Sequence, residues 1–274
     1  MDNFNVYKDI QARTKGEIYI GVVGPVRTGK STFIKRFMEL AVLPAMEDES
    51  LKAVSTDELP QSAGGKTVMT TEPKFIPKEA VQITLGDGIQ AKVRLIDCVG
   101  YMVDGAAGHV ENGEERMVKT PWSEKEIPFT QAAQIGTRKV IGDHSTIGIV
   151  VTTDGSVGEL KRSAYIDAEK QTVDELKKLG KPFILLLNST KPYSDETLKL
   201  AEQLAADYGV TVLPVSCEQL KKEDIFHILE SVLKEFPVTQ LDFHIPKWLE
   251  VLPATHWLKT QVIDLSLIHI SEPT

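Results

Sequence analysis

Short apolar runs alternate along the chain with stretches in which apolar residues return every three or four positions. The runs at 18–23, 81–85, 93–96, 147–152, 183–187 and 210–215 predict strands, and the stretches at 30–43, 129–142, 164–179, 195–208 and 222–236 predict helices. This alternation predicts an α/β fold, a mostly parallel sheet with helices on both faces, because parallel neighbours need a crossover between them. The helix over 164–179 is followed by its own stop signal, Gly180 and then Lys181-Pro182. Two stretches break the rhythm. Residues 44–77 and 100–128 are polar and rich in Gly, Pro and Glu, and they read as long loops of the kind that carry function.

From Pro237 onward the pattern changes to one punctuated by Pro246, Trp248, Pro253 and Trp257, which predicts a segment leading towards another domain. The expected organisation is one domain over 1–236, the start of a linker or further domain over 237–264, and a tail over 265–274. That tail reads as the translation of a sequencing-library adapter fused to an interrupted frame, so it is set aside and the natural chain is expected to continue past Asp264.

Composition narrows the classes of function. Of 274 residues 42% are hydrophobic and 26% charged, enough apolar material for a sizeable core. The formal net charge of −8, without a Lys/Arg block, argues against nucleic acid or an anionic lipid surface as a partner. No apolar run approaches the roughly 18 to 20 residues of a membrane-spanning helix, and the N-terminal residues lack the basic-then-apolar layout of a signal peptide. The cysteines are Cys98 and Cys217 only, too few for a disulfide framework or a thiolate zinc site. A cytoplasmic setting follows as the expectation.

The chemistry is carried first by the strand ending at Val23. It runs directly into Gly24-Pro25-Val26-Arg27-Thr28-Gly29-Lys30-Ser31-Thr32 and then into a predicted helix. This is G-x-x-x-x-G-K-S in the strand–loop–helix setting that a phosphate loop requires. The glycines let the backbone curl so that successive N–H groups face phosphate oxygens, and the helix start adds its positive end. Lys30 supplies charge to the β- and γ-phosphates, while the Ser31 hydroxyl is placed to ligate Mg²⁺.

A second apolar strand ends in Asp97-Cys98-Val99-Gly100, where Asp97 would hold the metal and the Gly100 N–H would sense the γ-phosphate. Between the two motifs lies Gly65-Lys66-Thr67-Val68-Met69-Thr70-Thr71-Glu72-Pro73. A threonine from such a segment places its hydroxyl on Mg²⁺ and its N–H on the γ-phosphate, and Thr70 and Thr71 are equal candidates. Tyr101 stands where Ras-like enzymes carry a water-positioning glutamine, so either water is oriented by another group or hydrolysis is slow until assembly supplies one. Arg27, Arg138 and Arg162 are weighed as cations donated to a neighbouring subunit, against the simpler reading of surface arginines.

Guanine is normally read by N-K-x-D after the next strand but one. Here Leu187 is followed by Asn188-Ser189-Thr190-Lys191, and lysine, a donor only, cannot accept from the guanine N1–H and N2–H₂. The scaffold persists in Asn188 and in Val215-Ser216-Cys217, with Ser216 in the loop that lies over the base. Together these motifs, with Met69-Thr70-Thr71-Glu72-Pro73 and Pro246-Lys247-Trp248, resemble the stage IV sporulation protein A family over essentially all of 1–264. The resemblance implies a domain derived from translation-factor-like GTPases that binds and hydrolyses ATP with Mg²⁺. It also implies a homopolymer forming the basement layer of the spore coat at the forespore surface, in the mother-cell cytoplasm. Contacts with other spore coat morphogenetic proteins and with a small membrane-bound amphipathic peptide are expected through the family's C-terminal part. Lys30, Asp97, Thr70 and Thr71 correspond to its catalytic residues.

Other residues read more plainly. His109 and His144 belong to no ligand-spaced cluster, and Cys98 reads as a small hydrophobe at a strand end. Glu111, Glu114 and Glu115 read as a solvated face, with a γ-phosphate-sensing insertion as the alternative, and Lys161-Arg162 and Lys177-Lys178 as helix-surface charges. A GTPase acting in ribosome assembly and a nucleotide-binding scaffold without turnover remain the competing functional readings.

Overall fold

The computed structural model describes residues 17–60, 73–84, 90–106, 110–111, 114–235, 247–253 and 255–263. The expected switch segment with Thr70 and Thr71, His109 and the tail from 265 lie outside the described residues. The chain divides into two compact units, Met1–Phe236 and Pro237–Thr274.

In the first unit the elements follow in order: β1 (Glu17–Val23), α1 (Lys30–Phe37), α2 (Glu49–Asp57), β2 (Lys74–Thr84) and β3 (Gln90–Asp97). Four short strands come next, β4 (Val110–Glu111), β5 (Glu114–Glu115), β6 (Met117–Thr120) and β7 (Ser123–Pro128). The unit continues with α3 (Phe129–Lys139), β8 (Ile147–Thr153), α4 (Ile166–Lys178), β9 (Phe183–Asn188), α5 (Asp195–Tyr208), β10 (Val212–Val215) and α6 (Lys222–Lys234). In the second unit the described residues form α7 (Lys247–Glu250) and a helical stretch over 257–263. No described helix is long and apolar enough to cross a membrane.

Six strands make one sheet in the order β10-β9-β8-β1-β3-β2, parallel throughout except for β2, which runs antiparallel along β3 at one edge. This is the α/β architecture that the sequence predicts. The apolar runs are continuous because each central strand feeds two cores. On one face Ile18, Ile20, Val22, Ile147, Ile149, Val151, Ile184 and Leu186 pack with Phe33, Ile34 and Phe37 of α1 and Ile225, Ile228, Leu229 and Val232 of α6. On the other, Val23, Val150, Phe183, Leu185 and Leu187 meet Val173 and Leu176 of α4 and Ala201 and Leu204 of α5. Gly148 on β8 is closely packed, since a β-carbon there would meet Leu176 and Phe183 at 3.0 and 3.1 Å and these side chains would have to give way.

The two stretches read as loops are partly ordered. The first contains α2, opened by the Asp48 side chain accepting from the N–H groups of Ser50 and Leu51, and it ends inside β2, which starts at Lys74 rather than 81. The second contains the hairpins β4–β5 and β6–β7. Glu115, read as a solvated charge, accepts from the Thr130 N–H at 3.3 Å and from its hydroxyl, and so caps α3, whose preceding residue is Pro128. Two helices end in widened π-type turns, α1 through Met38–Val42 and α3 through Val140–His144, so their α-helical parts are shorter than the periodicity implies. His144 in the second turn sits edge-on to Phe75.

Arg162 departs from the surface reading. Its guanidinium holds the wholly buried Glu169 carboxylate in two bonds of 2.6 and 2.7 Å, and it also donates to the Thr152 hydroxyl and the Thr153 carbonyl at the end of β8. Tyr208 and Thr152 donate to the same carboxylate. This network fixes the exit of β8 to α4 and α5. Arg162→Ala leaves a buried carboxylate without its cation and is expected to lower the unfolding free energy by about 3 kcal/mol, read from urea denaturation. A loss below about 1 kcal/mol would mean that this network adds little to the stability of the fold.

Candidate functional site

β1 lies in the middle of the sheet, so its C-terminal end opens between β3 and β8. The chain turns out of the strand at Gly24, whose φ is +130°, and a β-carbon there would lie 2.4 Å from the Val151 carbonyl oxygen of β8. Arg27 (φ +61°) and Gly29 (φ +97°) adopt left-handed conformations that curl the loop back before α1 begins at Lys30. No side chain caps the first turn of α1, so its N–H groups face the hollow of the loop. The Thr28 hydroxyl donates to the Pro25 carbonyl at 3.0 Å and braces the curl from within. Thr32 follows Ser31 in the first turn, half-buried.

The second motif closes against the first. The Val26 N–H donates to the Tyr101 carbonyl at 2.9 Å and the Tyr101 N–H to the Gly24 carbonyl at 3.2 Å. Between these bonds sits Gly100 at φ +92°, where a β-carbon would be 2.0 Å from the Gly24 oxygen and 2.7 Å from Lys30 Nζ. Lys30, Gly100 and Asp97, expected together from spacing alone, are thus brought into one cradle.

Electrostatically the cradle is under tension. The Lys30 ammonium is buried and donates to the carbonyls of Pro25 at 2.5 Å and Gly24 at 3.4 Å. Burial lowers its pKa, opposed by Cys98 and Asp97 nearby. Burial likewise pushes the Asp97 carboxyl up to about 6, against the pull of Lys30 and the Ser31 hydrogen bond. Asp97 Oδ2 accepts from the Ser31 hydroxyl at 3.3 Å, while Oδ1 is buried with no hydrogen-bond partner among the described residues. A hydroxyl beside a carboxylate with one unsatisfied oxygen is a hard-oxygen donor set that fits a divalent cation such as Mg²⁺.

On the other side the Asn188 amide, at the end of β9, donates to the Thr28 carbonyl at 2.9 Å and accepts from the Cys217 N–H at 3.0 Å. Asn188 therefore splices the phosphate loop to the turn after β10. Ser216 opens that turn, its carbonyl accepting from the Gln219 N–H at 3.0 Å. Cys217 lies in this turn and Cys98 beside Asp97 on the other side; both are buried, and burial pushes their thiol pKa values up to about 12 and about 11.

Tyr101 is wholly buried among Val26, Val103, Ala106, Tyr165 and Ala168, and its hydroxyl donates to Glu175 on α4. Arg138 on α3 donates to the same carboxylate at 2.8 Å. Tyr101 is thus an anchor rather than a group that meets water, and Arg138 and Arg162, weighed as donors to a neighbour, have internal partners. Arg27 stands beside the Tyr165 phenol, whose pKa burial raises and Arg27 lowers. Sequence reading missed Glu175, for which no local pattern exists, and the Asp154-Gly155-Ser156 turn after β8, which its residue types do signal.

The family model for the stage IV sporulation protein A ATPase domain matches residues 1–237. The chain is 51% identical over 259 residues to stage IV sporulation protein A of Bacillus subtilis (strain 168), covering 94% of this chain and 53% of that protein. It is 52% identical over 261 residues to stage IV sporulation protein A of Clostridioides difficile (strain 630), covering 95% and 53%. The chain therefore spans about half the length of the curated relatives it matches.

The buried carboxylate makes a test of this geometry. Because the folded pKa of Asp97 lies above its ordinary value of 3.8, at about 6, the folded state binds more protons between those values. Stability contributed by the neutral form is lost as pH rises through that window, and the cost persists at neutral pH. Asp97→Asn is expected to raise the melting temperature at neutral pH by roughly 4 °C, the gain shrinking as the pH is lowered from about 6 towards 3.8 and gone below it. A variant that melts at or below the wild-type temperature at neutral pH would overturn this account of the site.

Proposed function

The chain belongs to the stage IV sporulation protein A family, and we propose that it binds ATP with Mg²⁺ in the cradle of residues 24–31 and hydrolyses it to ADP and phosphate. The observation that carries this reading is the closure of Asp97 and Gly100 onto the phosphate loop, with an ammonium and an unsatisfied carboxylate oxygen at its floor. A phosphate oxygen offers Lys30 a charged acceptor, stronger than the two carbonyls it holds. The main-chain N–H groups of residues 29–31 orient the triphosphate tail, and the Gly100 N–H is poised at its far end. Ser31 and Asp97 would hold the metal, with Thr70 or Thr71 completing its donors; the ion supplies charge neutralisation on the transferring phosphoryl group. Lys191, in place of the guanine-reading aspartate, favours ATP over GTP.

Hydrolysis switches the domain between shapes that do and do not polymerise, and the homopolymer forms the basement layer of the spore coat at the forespore surface, on the mother-cell side. Other coat morphogenetic proteins and a small membrane-bound amphipathic peptide are engaged through regions beyond this span.

Single-turnover phosphate release tests the enzyme. Lys30→Ala is expected to fall about a hundredfold or more below wild type, and Thr70→Ala combined with Thr71→Ala to bind ATP but release no phosphate above background. Equal, background-level release from wild type and Lys30→Ala would favour a scaffold without turnover. Unlabelled GTP competing with a fluorescent ATP analogue as well as ATP does would favour a GTPase.

A further inference from the structure

A nucleotide whose phosphates occupy the cradle must lay its base along the carboxyl ends of the neighbouring parallel strands, because that is where the crevice of an open α/β sheet runs. From β1 the sheet continues to β8, β9 and β10, and the loops leaving those three strands are hydrogen-bonded to one another. Asp154, just after β8, accepts at Oδ1 from the N–H of Ser156 at 2.9 Å and from its hydroxyl at 2.6 Å. Ser156 Oγ in turn accepts from the Thr190 N–H at 3.0 Å and lies 3.5 Å from the Ser189 hydroxyl. Ser189 Oγ accepts from the Lys191 N–H at 3.0 Å. Asp154 Oδ2 accepts from the Thr197 hydroxyl at 3.3 Å, and the Ser189 N–H is tied to the Val215 carbonyl at 2.9 Å. Burial disfavours the Asp154 charge, but the bonds from Ser156, Ser189 and Thr197 outweigh it and hold the carboxyl below its ordinary value.

One consequence concerns donors. The main-chain N–H groups of Ser189, Thr190 and Lys191, the stretch that replaces the guanine reader, are all committed inside the protein. A 6-oxopurine presents a carbonyl that needs a donor, whereas a 6-aminopurine presents an N–H₂ that needs an acceptor. A loop whose amides are spent internally offers no main-chain donor, and its acceptors are carbonyl oxygens, of which that of Lys191 also takes the Ser194 N–H at 3.1 Å and keeps a second lone pair.

We infer that Asp154, acting through Ser156, is a positioning residue that sets residues 189–191 as an acceptor surface selecting an aminopurine over an oxopurine nucleotide. The inference rests on the ATP-binding reading above. Neither side chain needs to touch the base.

The test is competition against a fluorescent ATP analogue on the 274-residue chain with Mg²⁺, using ATP, GTP and inorganic tripolyphosphate as competitors. In Asp154→Ala and in Ser156→Ala, ATP affinity is expected to fall about tenfold and its preference over GTP to shrink by a similar factor. Tripolyphosphate, which has no base to read, is expected to compete as it does with wild type. Unchanged ATP affinity and preference in both variants overturns the inference, as does a parallel loss for all three competitors, which would mark the residues as supports of the whole domain. Wild type that binds no ATP analogue, or a Lys30→Ala variant that binds it equally well, overturns instead the reading on which the inference stands.

Discussion

The start of the phosphate loop and the segment after Asp97 touch through bare main chain. Gly24 backs onto the Val151 carbonyl, Gly100 backs onto Gly24 and Lys30, and a β-carbon at either position would lie 2.4 Å or less from a carbonyl oxygen. That approach lets the Tyr101 N–H reach the Gly24 carbonyl and brings Asp97 beside Ser31. Widening it by the thickness of a methyl group would separate Gly100 from the Lys30 ammonium. The parallel order β3-β1-β8 makes the approach possible, since both motifs leave adjacent strands at the same end of the sheet.

Within that frame, charges are held where the fold alone would not put them. Lys30 loses hydration and, among the described residues, donates to carbonyls, and Asp97 keeps one oxygen without a described hydrogen-bond partner. Such groups cost stability and are retained where a ligand completes them. The surroundings are correspondingly stiff. Tyr101 is fastened to α4 through Glu175, Arg162 and Glu169 secure the end of β8, and Asn188 joins the loop to the turn after β10. Rigid supports on three sides hold the main chain of the cradle in place.

The parts of this arrangement legible in the sequence are those written as local spacing. The phosphate loop is readable because its glycine positions encode a backbone path, and the central strands because an unbroken apolar run is what two-sided burial demands. β2 was read short: at a sheet edge its outward positions are polar, and Pro77 interrupts the pattern. α2 escaped notice because Leu51 and Val54 are exposed and leave little amphipathic signal. Glu175 meets Tyr101 across 74 positions, and Glu169 meets Tyr208 across 39. Pairings at such separations are set by how helices dock on the sheet, which periodicity does not record.

The two thiols have a practical corollary. Cys98 and Cys217 sit inside the protein with their ionisation suppressed, so neither offers the thiolate that alkylating dyes attack. The native chain thus behaves towards a maleimide as though it had no cysteine, and a single one introduced on an exposed helix becomes a unique handle for a spectroscopic label.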